Sequence, residues 1–455
     1  MIHMAIIILI LVLYMGGMLA IGIYGSKKSS TMTEFLTAGK SGGMFVMICT
    51  YIGAHVGNGI IVGGAQYGAE YGIGGMWFGL GAVLSYVLFA LVMSRLLYRR
   101  GYITIPDLIR DRYQSKVASV LMAILNICAT LGIMAAQIMA GSALFSALGL
   151  NPTLGAALMA IVVFLYCALS GMWGVMMTDS VQTTVIFFST IFCIVAIAMN
   201  GGFDAISNAL PESSFELVPF DAETLFMMMV PGALNGLISG AAYQRTASCK
   251  NEKVAFWAPL IAAFALIPFV ILPVVIGMYG KAIFPDAPTA AILFDVVLDM
   301  NPVIAGLMIS AVLSAVMSTM DIGLLNVTAN TVNDIYYKTL NPNADQKTLG
   351  RLSTLVTLAS GVIALVLAIS SSSILSLLSS TYSLMNAGAL VMVLGGIMWK
   401  KGTKEGAIAS ALCGMAVIVV NMAGIPVPYI SFTPLIPSLI AYVVVSLLTQ
   451  KKAVA

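Results

Sequence analysis

Charge is what this chain has least of. Only 9% of its 455 residues are Asp, Glu, Lys or Arg, while 60% are hydrophobic and mean hydropathy is +1.02. Soluble domains carry about 25% charged and 45 to 50% apolar residues, so a soluble globular protein is excluded. Histidine is almost missing, with two in the chain. No HExxH, no Ser/His/Asp set and no phosphate loop can be assembled, which argues against a membrane enzyme. The six cysteines (Cys49, Cys128, Cys167, Cys193, Cys249 and Cys413) stand singly, without a CxxC pair or disulfide framework, and read as small buried apolar residues. Four tryptophans offer no aromatic cage for a quaternary amine. Long polar segments are missing as well: the widest gaps, 26–42, 201–222 and 281–301, are too short to bury a core of their own.

What remains is apolar runs longer than 18 residues, with 43 glycines. Strands of a membrane barrel would alternate over segments of about ten residues, so helices are left as the way to satisfy the backbone in lipid. At about 20 residues per crossing, spans fall at 4–25, 43–67, 74–98, 116–147, 154–171, 174–200, 223–247, 253–280, 302–335, 351–371, 374–398, 406–424 and 430–449. The expected fold class is an all-α polytopic membrane protein of about 13 transmembrane helices. The first span lacks a basic leader and a small-residue cleavage pattern, and is expected to be retained.

The scarce cations are unevenly placed. If the first loop is cytoplasmic, 20 of the 21 Lys and Arg lie inside and only Lys281 lies outside, which predicts a multi-pass plasma-membrane protein with N-terminus outside and C-terminus cytoplasmic. Short basic clusters at helix ends are ordinary topology determinants, so they are read neither as a nucleic-acid site nor as an anionic-lipid site.

Two spans carry weak helix formers at membrane depth: Gly53-Ala54-His55-Val56-Gly57-Asn58-Gly59 in the second and Pro231 through Gly240 in the seventh. Each opens a group of five spans, and an odd number gives the second group inverted topology. This divides the chain into 1–42, an extra helix and first loop; 43–200, a first repeat; 201–222, an external loop; 223–398, a second repeat; and 399–455, two final helices. Interrupted helices at matching positions of inverted repeats point to the midplane site of a secondary transporter.

Polar residues inside the spans need reasons. Asp179 stands just inside the sixth span, where a carboxylate is costly and reads as functional unless it is interfacial or a helix cap. In the ninth span Ser318-Thr319 is followed by Asp321; Ser318 and Asp321 share a face, and oxygens there opposite an unwound backbone would suit a hard monovalent cation. His55 sits inside a break, as a solute contact or titrating group, or as a satisfied structural residue. Asn58, Gln137, Asn235, Tyr382 and Asn386 are further candidates to line a solute cavity. No cavity arginine is apparent within the spans for a carboxylate.

Several ordered blocks resemble the sodium/solute symporter family: Glu34 to Ser41, Gly101 to Asp107, Thr178 to Gln182, Tyr243-Gln244-Arg245, and Met317 to Asp321 followed by Asn333-Asp334-Ile335-Tyr336. The resemblance implies the leucine-transporter-like fold, two inverted five-helix repeats with a broken first helix in each, one helix before and two after. It implies co-transported sodium held at positions matching Gly53, Val56, Ala315, Ser318 and Thr319. Asp179 and Asp321 are candidates for a second cation or for coupling. A hydroxyl that follows the acid in many relatives is Ile322 here, which favours one sodium per cycle. The expected function is sodium-coupled import of a small organic solute by alternating access, with a monomer sufficient. A proton-coupled symporter using Asp179, Asp321 and His55 is the nearest alternative. A sensor with a transporter fold is the other, although the chain ends at Lys451-Lys452-Ala453-Val454-Ala455 without a signalling domain.

Overall fold

The computed structural model describes residues 2–371, 385–423, 425, 427–430 and 432–450. In chain order the helices are α1 (Ile2–Gly25), α2 (Met32–Thr37), α3 (Met44–His55), α4 (Asn58–Tyr71), α5 (Met76–Phe89), α6 (Arg95–Arg100), α7 (Ile105–Tyr113), α8 (Lys116–Ala147), α9 (Pro152–Met199), α10 (Gly202–Ala209), α11 (Ala222–Asn235), α12 (Gly240–Ser248), α13 (Glu252–Ala265), α14 (Ile267–Ile283), α15 (Ile292–Asp299), α16 (Pro302–Thr328), α17 (Gln346–Ser370), α18 (Val391–Met398), α19 (Lys404–Met422) and α20 (Leu435–Thr449). No strand occurs among the described residues, where one isolated bridge joins Gly42 to Cys249.

The helix starts follow local rules. Asn151 and Asn301 accept backbone N–H groups ahead of Pro152 and Pro302, whose fixed φ suits a first helical position. Thr31 and Glu34 form a reciprocal capping box at α2. The short α2, α10 and α15 lie in the gaps that the sequence leaves as connections.

Among the described residues, eight helical stretches are long and apolar enough to cross a bilayer, or nine if the bent pair α11 and α12 is one span. That is fewer than the thirteen expected, for identifiable reasons. The stretch Pro152–Met199 runs 48 residues, about 72 Å at 1.5 Å per residue, more than twice a hydrocarbon core of about 30 Å. Gly171 breaks it with φ 54° and ψ −147°, a conformation essentially closed to side chains, at the boundary expected between the fifth and sixth spans. The 43-residue stretch Asn58–Arg100 is broken likewise at Gly72, φ 58° and ψ −141°. At the other end of the chain α20 is short, and 374–384, the first part of the eleventh expected span, lies outside the described residues.

The ninth span forms the centre: 78% of its apolar window is buried, against 22% for the first. A centre of that kind can position polar groups, because its neighbours rather than lipid surround it. Cysteine placement departs from expectation: Cys49, Cys167, Cys193 and Cys249 are buried, but Cys128 and Cys413 are exposed, in helices whose outer surfaces carry other exposed apolar side chains.

The basic segments gather on one face. Lys28 lies over Trp173 at 4.2 Å, Lys250 N–H bonds Gly42 O at 2.9 Å, and Arg99 pairs with Glu252 at 2.8 Å. On this face α7 ties two helix ends together. Arg110 donates to the Lys338 carbonyl at 2.6 Å and the Asp334 carbonyl at 3.2 Å, at the π-helical end Ala329–Leu340 that continues α16. Arg112 donates to the carbonyls of Gly396, in the last turn of α18, and of Trp399 just past it. Cations at carbonyl-rich helix C-termini also meet the negative end of the dipole.

Candidate functional site

The second span breaks where glycine content predicts. In a continuous helix the Gly57 N–H would bond the Gly53 carbonyl; instead it bonds His55 O at 2.8 Å. Val56 (φ −78°, ψ 64°) and Gly57 (φ −88°, ψ −173°) carry the chain out of the helix before α4 begins at Asn58 without a side-chain cap. Carbonyls freed in this way need another partner.

They find it on α16. Ser318 Oγ donates to Gly53 O at 2.9 Å and lies 3.2 Å from Ala315 O. Thr319 Oγ1 donates to Ala315 O at 3.1 Å. A Cβ on Gly57 would lie 2.8 Å from Thr319 Oγ1, so the glycine permits the close approach of chain and hydroxyl. Gly53, Ala315, Ser318 and Thr319 are thus brought together, with Val56 buried between Gly53 and Gly57. Two carbonyls and two hydroxyls carry no net charge, and oxygens of this kind at an unwound helix are suited to a monovalent alkali cation. Binding such an ion would replace the hydroxyl-to-carbonyl bonds.

Asp179 is not a helix cap: its carboxylate is fully buried two turns past the Gly171 break of α9, bonded to Thr50 Oγ1 and to Arg245 Nη2, the latter at 2.9 Å. Arg245 Nε also donates to Thr50 Oγ1 at 3.0 Å. Arg245 is the largest fully buried side chain among the described residues, a span arginine whose guanidinium is taken up by Asp179 and Thr50. One signal could have located it: the span limits 223–247 already enclose it. Asp179 Oδ1 has no partner and sits 3.2 Å from where a Cβ on Gly53 would lie. The ion pair therefore adjoins the broken backbone.

Ser318 and Asp321 face different neighbours. Asp321 accepts from Tyr166 Oη at 2.9 Å, with Thr178 Oγ1 at 3.5 Å, and its Oδ1 is unpartnered. Tyr166, Thr178 and Thr50 went unrecognised in the sequence because hydroxyls in membrane helices ordinarily bond their own backbone.

The two breaks meet through Ser85. Its Oγ lies 3.3 Å from His55 Nε2, and a Cβ on Gly236, at the turn Gly236–Ile238 that separates α11 from α12, would lie 2.9 Å from Ser85 Cβ. The His55 ring also lies against that of Tyr86, centroids 4.1 Å apart and tilted by 52°, while its Nδ1 has no partner. Asn235 immediately precedes that turn, and Asn58 is the first residue of α4. Gln137 is buried on α8 with Oε1 unpartnered, and among the described residues no hydrogen bond ties it to the others. Tyr382 and the side chain of Asn386 lie outside the described residues.

Solved structures share the fold. A Na+-coupled sialic acid symporter in a substrate-bound outward-open state superposes with a TM-score of 0.82 at 17% identity, covering 97% of this chain and 98% of that one. A nucleobase-cation-symport-1 family transporter, closed with bromovinylhydantoin bound, gives 0.61 at 14% identity over 92% and 93%. The fold is that of leucine-transporter-like secondary transporters.

Residues 35–414 match the sodium:solute symporter family. The chain belongs to that family, whose members are transporters and not enzymes. Similar curated proteins are the sodium/pantothenate symporter of Escherichia coli, 25% identical over 95% of this chain and 94% of that protein, and its sodium/proline symporter, 27% identical over 90% and 86%. The osmoregulated proline transporter of Bacillus subtilis is 27% identical over 99% and 96%. The protein is accordingly a multi-pass membrane protein of the sodium-coupled symporter class.

Proposed function

We propose that this protein imports a small organic solute with one sodium ion per cycle by alternating access, from the plasma membrane, with its N-terminus outside and its C-terminus in the cytoplasm. The observation that carries the reading is the approach of Ser318 Oγ to Gly53 O, which joins broken span to central helix through oxygens. Sodium held by Gly53, Val56, Ala315, Ser318 and Thr319 would clamp these elements together and favour the solute-competent state. The stoichiometry is supported by two features: the Asp179 charge is already met by Arg245, and the residue after Asp321 is the buried apolar Ile322. The basic face supports the orientation.

The solute would contact His55, Asn58 and Asn235 near the two breaks, with Gln137, Tyr382 and Asn386 as further candidates. The uncapped N-terminus of α4 supports a carboxylate there, since helix N-termini in such breaks face anionic solute groups. Relatives that carry pantothenate and proline make those two the first solutes to screen by thermal shift with and without sodium. Uptake of a hit into proteoliposomes should stop when sodium is replaced by choline at fixed pH. Undiminished uptake in choline would instead favour proton coupling through Asp179, Asp321 and His55.

A further inference from the structure

A cleft of about 240 Å³ opens on the basic face, lined by Arg95, Glu252, Lys253, Phe256 and Trp257. It lies where α6 arrives at that face and α13 leaves it. The sequence reads Arg95 and Lys253 as members of two separate topology clusters; the fold brings them to one cavity. Glu252 is occupied by Arg99, Nη2 to Oε1 2.8 Å. The Arg95 guanidinium lies over the Phe256 ring at 4.0 Å, held by a cation–π contact. Among the described residues no carboxylate forms an ion pair with Arg95 or Lys253. Glu252 shares the cleft but spends its carboxylate on Arg99, so Arg95 and Lys253 stand there without an ion-pair partner of their own.

Directly beside it the surface turns apolar. Trp257, Ile261 and Phe264, at helical spacing on α13, are 44%, 40% and 60% exposed, and Leu91 and Val92, a turn from Arg95, are 63% and 48% exposed. Because α6 ends at this face and α13 begins there, the cationic ends share one level and the apolar side chains extend from it toward the bilayer centre. Side chains this apolar and this exposed meet acyl chains, and a tryptophan at the junction occupies the interfacial position that aromatic residues favour.

We propose that this cleft binds the headgroup of an anionic phospholipid, with Arg95 and Lys253 on its phosphate and the acyl chains along Trp257, Ile261 and Phe264. An anionic lipid fits better than a zwitterionic one, whose own ammonium already answers its phosphate. Basic pockets between transmembrane helices are suited to such headgroups.

The test uses the purified full-length chain in nanodiscs of phosphatidylglycerol mixed with phosphatidylcholine, reading lipid retention by native mass spectrometry. R95Q/K253Q should retain phosphatidylglycerol roughly thirtyfold less tightly, about fivefold for each cation at the surface, with phosphatidylcholine retention unchanged. K400Q/K401Q, elsewhere on the same face, should retain it as the wild type does. Added inorganic phosphate should not displace the lipid. W257A/F264A tests the same lipid from its acyl side, independently of the cations, and should also release it. The proposal is overturned if R95Q/K253Q and W257A/F264A both hold phosphatidylglycerol as the wild type does. It is equally overturned if K400Q/K401Q loses as much, which would mean bulk surface attraction, or if phosphate alone displaces the lipid.

Discussion

At the scale of single residues, Asp179 and Arg245 form the one ion pair among the described residues that is fully buried on both sides. Removing one member leaves an unpaired charge beside the broken backbone, at a cost of about 3 to 5 kcal/mol. Arg245→Met alone should therefore lower the detergent thermal midpoint more than Asp179→Leu and Arg245→Met together, a non-additivity that a double-mutant cycle reads directly. Additive losses would mean that the pair is not coupled. His55 makes a different prediction: with Nδ1 unpartnered and Nε2 on Ser85, His55→Ala should raise the KM for solute while leaving the sodium dependence intact. An unaltered KM and pH profile would return it to a structural role. Asp179 was visible in the sequence because a carboxylate in an apolar run demands a reason. Arg245 was not, because a cation near a helix end satisfies a topology rule equally well, and only the packing of α12 shows that it points inward.

At the scale of elements, breaks were easier to read than boundaries. The glycine run 53–59 marks the first break, and at Gly53 and Gly57 the missing side chain lets the chain approach Thr183 and Thr319 hydroxyls. The second break falls at Gly236–Ile238, near the end of the stretch from Pro231 that was expected to hold it. The boundary at Gly171 divides two spans with no loop at all, since one residue in a glycine-only conformation does the turning. A Cβ there would lie 2.6 Å from Phe35 O. Gly171→Ala should then destabilise the protein by about 1 to 3 kcal/mol from backbone strain alone, measurable as a lower midpoint of thermal unfolding in detergent. A midpoint equal to wild type would show that the turn is relaxed rather than strained. The amphipathic α7, whose arginines tie the ends of α16 and α18, lay hidden because its residues read as another basic loop.

At the scale of the whole molecule, coupling is a difference in affinity between states. Sodium and solute must each tighten the other's binding by the same factor. Inward movement of one charge through the membrane potential adds about 2.3 kcal/mol per 100 mV, so import of a neutral solute is predicted to be electrogenic, checked by current across a solid-supported membrane on solute addition. A silent trace with active uptake would contradict this. The class of molecule was legible from composition and charge placement, since both reflect the solvent the chain must face. The solute was not, because it is chosen by a few uncharged side chains whose positions depend on how two broken helices pack. The whole account turns on an ion at the junction of α3, α4 and α16, and radiosodium binding to the purified protein tests this without knowledge of the solute. Saturable binding should appear in the wild type and be lost in S318A/T319A at unchanged thermal stability. Equal binding by the two proteins would contradict the account.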